Sequence, residues 1–316
     1  MELAQYDVIC IGGGGAGVTA AVAASRLGAK VALISKEPVG HGATRIAGGT
    51  MSCPGMVPED VPERLYENMM TAGELINNPK LVMIVAREGA EAAAIYENFG
   101  HLFERDDEGR ISEKIALTRG GHNLPRGLIS KAEGVSLGTA IRAGLARANV
   151  DVYEETLATG LLTQAGHVAG VAALRIVDGE WLALGAKSVV LAGGGNAGIF
   201  YPHTDCMRGG VGDGYALALD VGAELLDMEQ TQALPFSVTH PQAMTGINIG
   251  DPAFAGPNGL LFNDKGDLLA DHINRKTRAQ ICKIISTEVA KGNGTARGGV
   301  WLDNRPNHKT PEGRAY

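Results

Sequence analysis

The strongest constraint on the fold is a run of glycine near the start of the chain. Gly12-Gly13-Gly14-Gly15-Ala16-Gly17 follows an apolar run at residues 6–11 and precedes a stretch of small residues at 18–27. A strand, a glycine turn and a helix, closed by a second apolar run at 30–35, make a complete βαβ unit. Gly28 ends the helix as a C-cap glycine. In the pattern Gly12-x-Gly14-x-x-Gly17 the first glycine makes the turn, the second lets a pyrophosphate touch the backbone, and the third brings helix against strand. The helix start then faces the phosphates with free N–H groups and a positive dipole end. GxGxxG alone is weak, but its place between strand and helix is the supporting context. An acid ~20 residues on should clamp the ribose. The second strand ends instead at Ser35, which takes that position with help from Glu37. The fingerprint alone leaves FAD and NAD both open.

Composition narrows the class. Glycine accounts for 45 of 316 residues, roughly twice the usual ~7%. The glycines cluster without a repeat, as suits a backbone that must approach a large flat ligand in several places. A net charge of −7 argues against a nucleic-acid partner, which needs a basic face. Cys10, Cys53, Cys206 and Cys282 form no CxxC pair, so neither zinc nor an iron–sulfur cluster is indicated, and no metal is expected. Scattered cysteines and no signal peptide suggest a cytoplasmic location. No apolar stretch near the start is long enough for a membrane span.

Further along, periodicity predicts helices at about 61–76 and 80–98, and a hairpin over 102–117 around Asp107-Glu108-Gly109. It predicts a helix at 137–148 and strands between 151 and 191, with turns at 164–166 and 178–179. A buried strand at 188–192 runs into Gly193-Gly194-Gly195, and a helix follows at 214–222. Near 235 the texture becomes rich in proline and polar turns, ahead of a helix at 277–291.

Six blocks in order carry a resemblance. They are Ser35-Lys36 with the loop 39–50, Gly120-Gly121-His122-Asn123-Leu124-Pro125-Arg126, Leu191-Ala192-Gly193-Gly194, Gly212-Asp213-Gly214-Tyr215-Ala216, the run 222–229, and Gly299-Val300-Trp301-Leu302-Asp303. Together they resemble the flavoprotein subunits of succinate dehydrogenase and fumarate reductase, and L-aspartate oxidase. The resemblance implies an α/β fold: a Rossmann-like, three-layer FAD-binding domain of the glutathione-reductase kind with a partial α+β capping domain. It places the FAD-binding part at 1–235, with a helical insertion about 59–135, and the partial cap at 236–316. It implies that Gly12, Gly13, Gly14, Gly15, Ala16 and Gly17 hold the pyrophosphate, and Ser35 and Lys36 the adenosine side. Thr44, Gly48 and Gly49 would lie at the flavin end, and Ala192, Gly193 and Asp213 would also face FAD. For Asp213 the alternative is an N-cap of the following helix. Relatives that attach FAD covalently do so through a histidine at the place of Ala43, so the resemblance implies non-covalent FAD. His41 is two residues too early and reads as a solvated loop residue.

The same resemblance implies hydride transfer between flavin and a small anionic carboxylate, with Arg278 in the place of the arginine proton donor. The alternative for Arg278 is a surface charge beside Arg275 and Lys276. Arg119, where aspartate oxidases carry an acid, suits an anionic group, and His122 is a second substrate-side candidate, with backbone capping as its alternative. Other substrate features are eroded. Leu234 stands where the family has a histidine, with His240 six residues on as a candidate substitute, and no Thr-Glu pair survives in 250–259. The sequence ends within the expected cap. The resemblance therefore leaves three readings: an enzyme, an electron-transfer subunit, or an inactive fragment. The implied partners are an electron-transfer protein or a complementary C-terminal chain.

Overall fold

The computed structural model describes residues 4–113, 116 and 122–314. Strand β1 (Ala4–Ile11) leads through the glycine turn into helix α1 (Gly15–Arg26) and returns as β2 (Val31–Ile34). Its small residues let α1 lie close on the sheet, with Gly17, Val18, Ala21 and Val22 buried. A loop then leads to β3 (Thr50–Ser52), α2 (Pro62–Ala72) and α3 (Pro79–Phe99). Asn78 caps α3 through its side chain, and Gly100 ends it in the left-handed conformation. Next come β4 (Gly127–Ile129), α4 (Glu133–Ala146), β5 (Val150–Tyr153), β6 (Thr156–Gln164), β7 (His167–Arg175), β8 (Glu180–Leu191) and α5 (Asp213–Asp220).

The main sheet has the order β5-β2-β1-β8-β7-β6. Its first four strands are parallel and the β8-β7-β6 meander is antiparallel. β8 serves both: Glu180–Gly185 pairs with β7 and Leu184–Leu191 with β1. Three layers result. Val18, Ala21, Val22, Phe99, Ile141 and Leu145 from the helices pack on one face of the parallel strands. Ala158, Val171 and Ala173 from the meander pack on the other, against Ile9, Ile11, Ala32 and Ile34. This is the α/β, three-layer architecture expected.

The rest is built of short pieces. β9 (Phe236–Ser237) pairs with β10 (Asn248–Gly250). β11 (Leu260–Phe262) sits between β12 (Leu268–Ala270) and β13 (Trp301–Asp303). Helix α6 (Arg278–Ala290) opens with a full capping box between Thr277 and Gln280. Phe236, Leu261, Ile273 and Ile281 form a hydrophobic cluster of their own. The expected hairpin over 102–117 does not form among the described residues. Asp106 and Gly109 make the tight turn, but Phe103 bridges to Ser130 rather than to a partner across that turn.

Candidate functional site

The phosphate turn lies at the carboxyl end of the parallel sheet, between β1 and β8, where the chain's course through the sheet reverses. Such switch points are where open α/β sheets bind ligands. The Gly12 amide donates to the Ile34 carbonyl at 2.8 Å, and Ala192 N donates to the Ile11 carbonyl at 2.8 Å. A Cβ on Gly17 would lie 1.9 Å from the Gly12 carbonyl oxygen, so only glycine permits this helix–strand approach. Gly14 differs: a Cβ there would meet only the Thr44 hydroxyl, at 3.3 Å. Helix α1 has no side-chain cap and no acidic residue in its first turn. An open backbone face, exposed Ala16 and an uncapped helix start fit the pyrophosphate of a dinucleotide.

The flavin-end loop closes on this turn. The Gly15 amide donates to Thr44 Oγ1 at 3.2 Å, and the Gly40 amide to the Gly13 carbonyl at 2.9 Å. Helix α4 lies beneath the loop by virtue of small residues: a Cβ on Gly138 would lie 2.4 Å from the Gly40 carbonyl. Ala43 and Gly48 are exposed, whereas Gly49 is buried and its carbonyl accepts from the Ser130 amide at 2.6 Å. The α4 glycines Gly134 and Gly138 were missed in the sequence. Only Gly138 falls in the helix predicted at 137–148; the helix starts earlier, at Glu133, which puts Gly134 on the same face.

Ser35 is buried under Gly13, and its hydroxyl donates to the Glu37 carbonyl. It supports the turn from below rather than offering a free hydroxyl at the surface. Lys36 forms an ion pair with Asp213, joining the end of β2 to the start of α5. Asp213 is the first residue of α5 and Gly212 is its N-cap, which corrects the N-cap alternative. A Cβ on Gly193 would lie 3.6 Å from the Gly214 amide. Gly12, Lys36, Ala192, Gly193 and Asp213 therefore converge at the carboxyl end of the parallel strands.

The candidate substrate side falls in two places. Arg119 lies outside the described residues. His122 is half-buried, and its Nε2 sits 3.0 Å from Ser52 Oγ at the end of β3, just past the flavin-end loop. Burial, and then the Arg126 guanidinium nearby, hold His122 below the usual histidine range, against the opposing pull of Asp60. Arg126 is fully buried, paired with buried Asp60, and donates to Asn68 Oδ1 at 2.9 Å. Such a pair strongly destabilises when one member is removed.

Arg278 opens α6 and is held in a bidentate pair by Asp251, Nη2 reaching Oδ2 at 2.8 Å. The Asp251 carboxylate pushes the Arg278 guanidinium further above the usual arginine value. Asp251 lies in the eroded 250–259 block and was missed there: its partner is 27 residues away and no local spacing links them. His240 is exposed and Leu234 half-buried. Among the described residues no hydrogen bond joins Arg278 to the phosphate turn, the flavin-end loop or His122.

Comparison with known proteins agrees with this geometry. The family model described as an FAD binding domain matches residues 7–306. The chain belongs to that FAD-binding family, and FAD is its cofactor. Among curated relatives, a fumarate reductase (CoM/CoB) subunit of Methanothermobacter marburgensis is 34% identical over 96% of this chain and 56% of its own length. The L-aspartate oxidase of Streptomyces coelicolor is 34% identical over 72% of this chain and 40% of its own. Among solved structures, the Mycobacterium smegmatis Sdh1 complex in the apo form superposes with a TM-score of 0.82 at 29% identity, covering 96% of this chain and 52% of that one. The chain thus spans about half the length of the relatives it matches. It is an FAD-binding chain similar over that length to a fumarate reductase subunit and to the Sdh1 complex. No helix among the described residues is long and apolar enough to cross a membrane.

Proposed function

We propose that this protein is a fumarate-reductase-like oxidoreductase that acts on the CH–CH bond of a small carboxylate. The observation that carries the reading is Arg278, gripped by both oxygens of Asp251 at the head of α6. FAD, when bound, supplies hydride at its N5. The protein's part in reduction is to deliver the matching proton. Two guanidinium nitrogens face Asp251, and among the described residues Nη1 makes no hydrogen bond, so Nη1 is the one to present to substrate. An arginine is protonated at any working pH, and Asp251 makes it a weaker acid still. Donation therefore needs a strongly basic carbanion beside it and no competing water. Asp251 acts as a positioning residue.

On the cofactor side, the turn 12–17 takes the pyrophosphate through the amides not already bonded to Ile34 and Thr44, Lys36 and Asp213 border the adenosine side, and Thr44, Gly48 and Gly49 border the flavin. Ala43 offers no nucleophile, so FAD is non-covalent, and acid precipitation leaves a colourless pellet. His122 faces the substrate's anionic end, and Arg119 is assigned to it from the sequence alone. The boundary between the cofactor-binding part and the cap falls near 235, where the hydrophobic clusters change. Electrons reach the flavin from a separate protein or soluble donor, in the cytoplasm.

A second reading, an electron-transfer subunit with chemistry elsewhere, is favoured by Leu234 and by the stretch 223–235, which forms no helix or strand. Viologen-linked reduction assays on the flavin-loaded full-length gene product separate the two. Turnover of fumarate or another unsaturated acid is expected. A flavin-replete protein inert to the whole panel would overturn the enzyme reading.

A further inference from the structure

His122 is held by a set of residues that the cofactor site does not otherwise require. Ser52 Oγ, at the end of β3, lies 3.0 Å from His122 Nε2. That hydroxyl can donate to Nε2 or accept from it; the first arrangement leaves Nε2 as the acceptor. A neutral imidazole has one bare nitrogen and one N–H. With Nε2 bare, the ring proton sits on Nδ1. Nδ1 is buried and has no partner among the described residues. A buried donor without an acceptor is costly, and a carboxylate oxygen would relieve it.

The loop carrying His122 is clamped behind the ring. Arg126, four residues on, is fully buried and ion-paired to Asp60, which also accepts from the Gly55 amide at 3.2 Å. Asn68 of α2 accepts from Arg126 at 2.9 Å and from the Asn123 amide at 3.4 Å. The Cys53 amide donates to the Arg126 carbonyl at 2.8 Å, tying the loop to the chain leaving β3.

We propose that Ser52, Asp60 and Arg126 form a positioning set that presents His122 as a neutral imidazole whose free Nδ1–H binds one carboxylate of the substrate. This rests on the carboxylate reading above and names the group that reads it. Arg126 and Asp60 are the charged groups that act on the ring, and burial together with Arg126 keeps it neutral.

The test uses the flavin-loaded full chain with nitrogen-15 histidine, the His122 signals being assigned by loss in His122→Gln. Two-bond proton–nitrogen spectra give the tautomer, and succinate is the probe, followed at His122 and by flavin absorbance. The wild type is expected to show the Nδ1–H tautomer, and succinate to shift the Nδ1 signal. Ser52→Ala, a mild change, should mix the tautomers and weaken succinate binding about fivefold, with His122→Gln weakening it about tenfold or more. Asp60→Asn, where it folds, should raise the KM for fumarate more than it lowers kcat, with flavin content unchanged. An Nε2–H tautomer in the wild type would overturn the proposal. So would succinate that perturbs the flavin but leaves His122 unmoved, an outcome that spares the broader reading. Succinate that moves neither would overturn both.

Discussion

The loop at 39–49 belongs to a block that resembles the family, whereas the stretch at 223–256 keeps that resemblance only over 223–229, and the two are built differently. The first is held mainly through backbone groups: the Gly40 amide on the Gly13 carbonyl, the Gly134 amide on the Ala47 carbonyl and the Gly15 amide on the Thr44 hydroxyl, with α4 close beneath. The second depends on a few long side chains, chiefly the pair Arg278–Asp251, and leaves Leu226, Met228, Ile247, Ile249 and Phe254 exposed. Gly40, Gly49, Gly134 and Gly138 resist change because a Cβ on any of them collides with backbone. Side-chain positions can drift and be replaced by a partner from another register, as Asp251 shows.

The largest effect should come from the buried charge pair behind His122. Asp60→Leu leaves Arg126 unpaired inside the protein and should lower unfolding free energy by about 3–5 kcal/mol, read from urea denaturation. A loss under ~1 kcal/mol would mean that the pair is not buried as seen. Gly17→Ala tests the backbone-built loop more gently. It forces α1 off β1 and should cost about 1–3 kcal/mol, with flavin retention falling in parallel. Unchanged flavin content would break the contrast between the two regions.

On the other side, stability and activity should separate. Asp251→Ala disrupts a pair that is partly exposed, so stability should change by no more than about 1 kcal/mol. Turnover of an unsaturated acid should nevertheless fall by about tenfold or more, because Arg278 loses its aim. A large stability loss with normal turnover would recast Asp251 as structural.

Much of this was legible in the sequence because the residues concerned act locally. The βαβ unit, with Gly28 closing its helix, is set by residues within a few positions of what they stabilise. Gly12, Gly14 and Gly17 announce a turn by spacing alone. The Asp60–Arg126–Asn68 clamp was not legible: Asp60 and Arg126 lie 66 residues apart, and neither spacing nor periodicity links them. Ser35 was legible as the end of β2, but the direction of its hydroxyl was not, since Glu37 competes for it. The 102–117 stretch read as a hairpin because its turn is strong; Phe103 pairs with Ser130 instead.

The smallest effect expected is a pH dependence. Burial holds both His101 and His122 below the usual histidine range. Between the ordinary value of about 6.5 and the lowered folded values, the unfolded chain binds more protons. Stability therefore holds above about 6.5 and falls as pH drops through that window. The urea midpoint should decline from pH 7.5 to 5.5, and His122→Gln should flatten the decline. An unchanged slope would place His122 in contact with water.

Calorimetric titration of the flavin-free protein with FAD and, separately, with FMN bears most directly on the phosphate turn. FMN lacks the adenosine half that the proposal above assigns to residues 12–17, Lys36 and Asp213. The structure predicts that FAD binds and is released intact by acid, while FMN binds at least about a hundredfold more weakly, a difference of about 2.7 kcal/mol. Equal affinity for the two, or no binding of FAD, would contradict it.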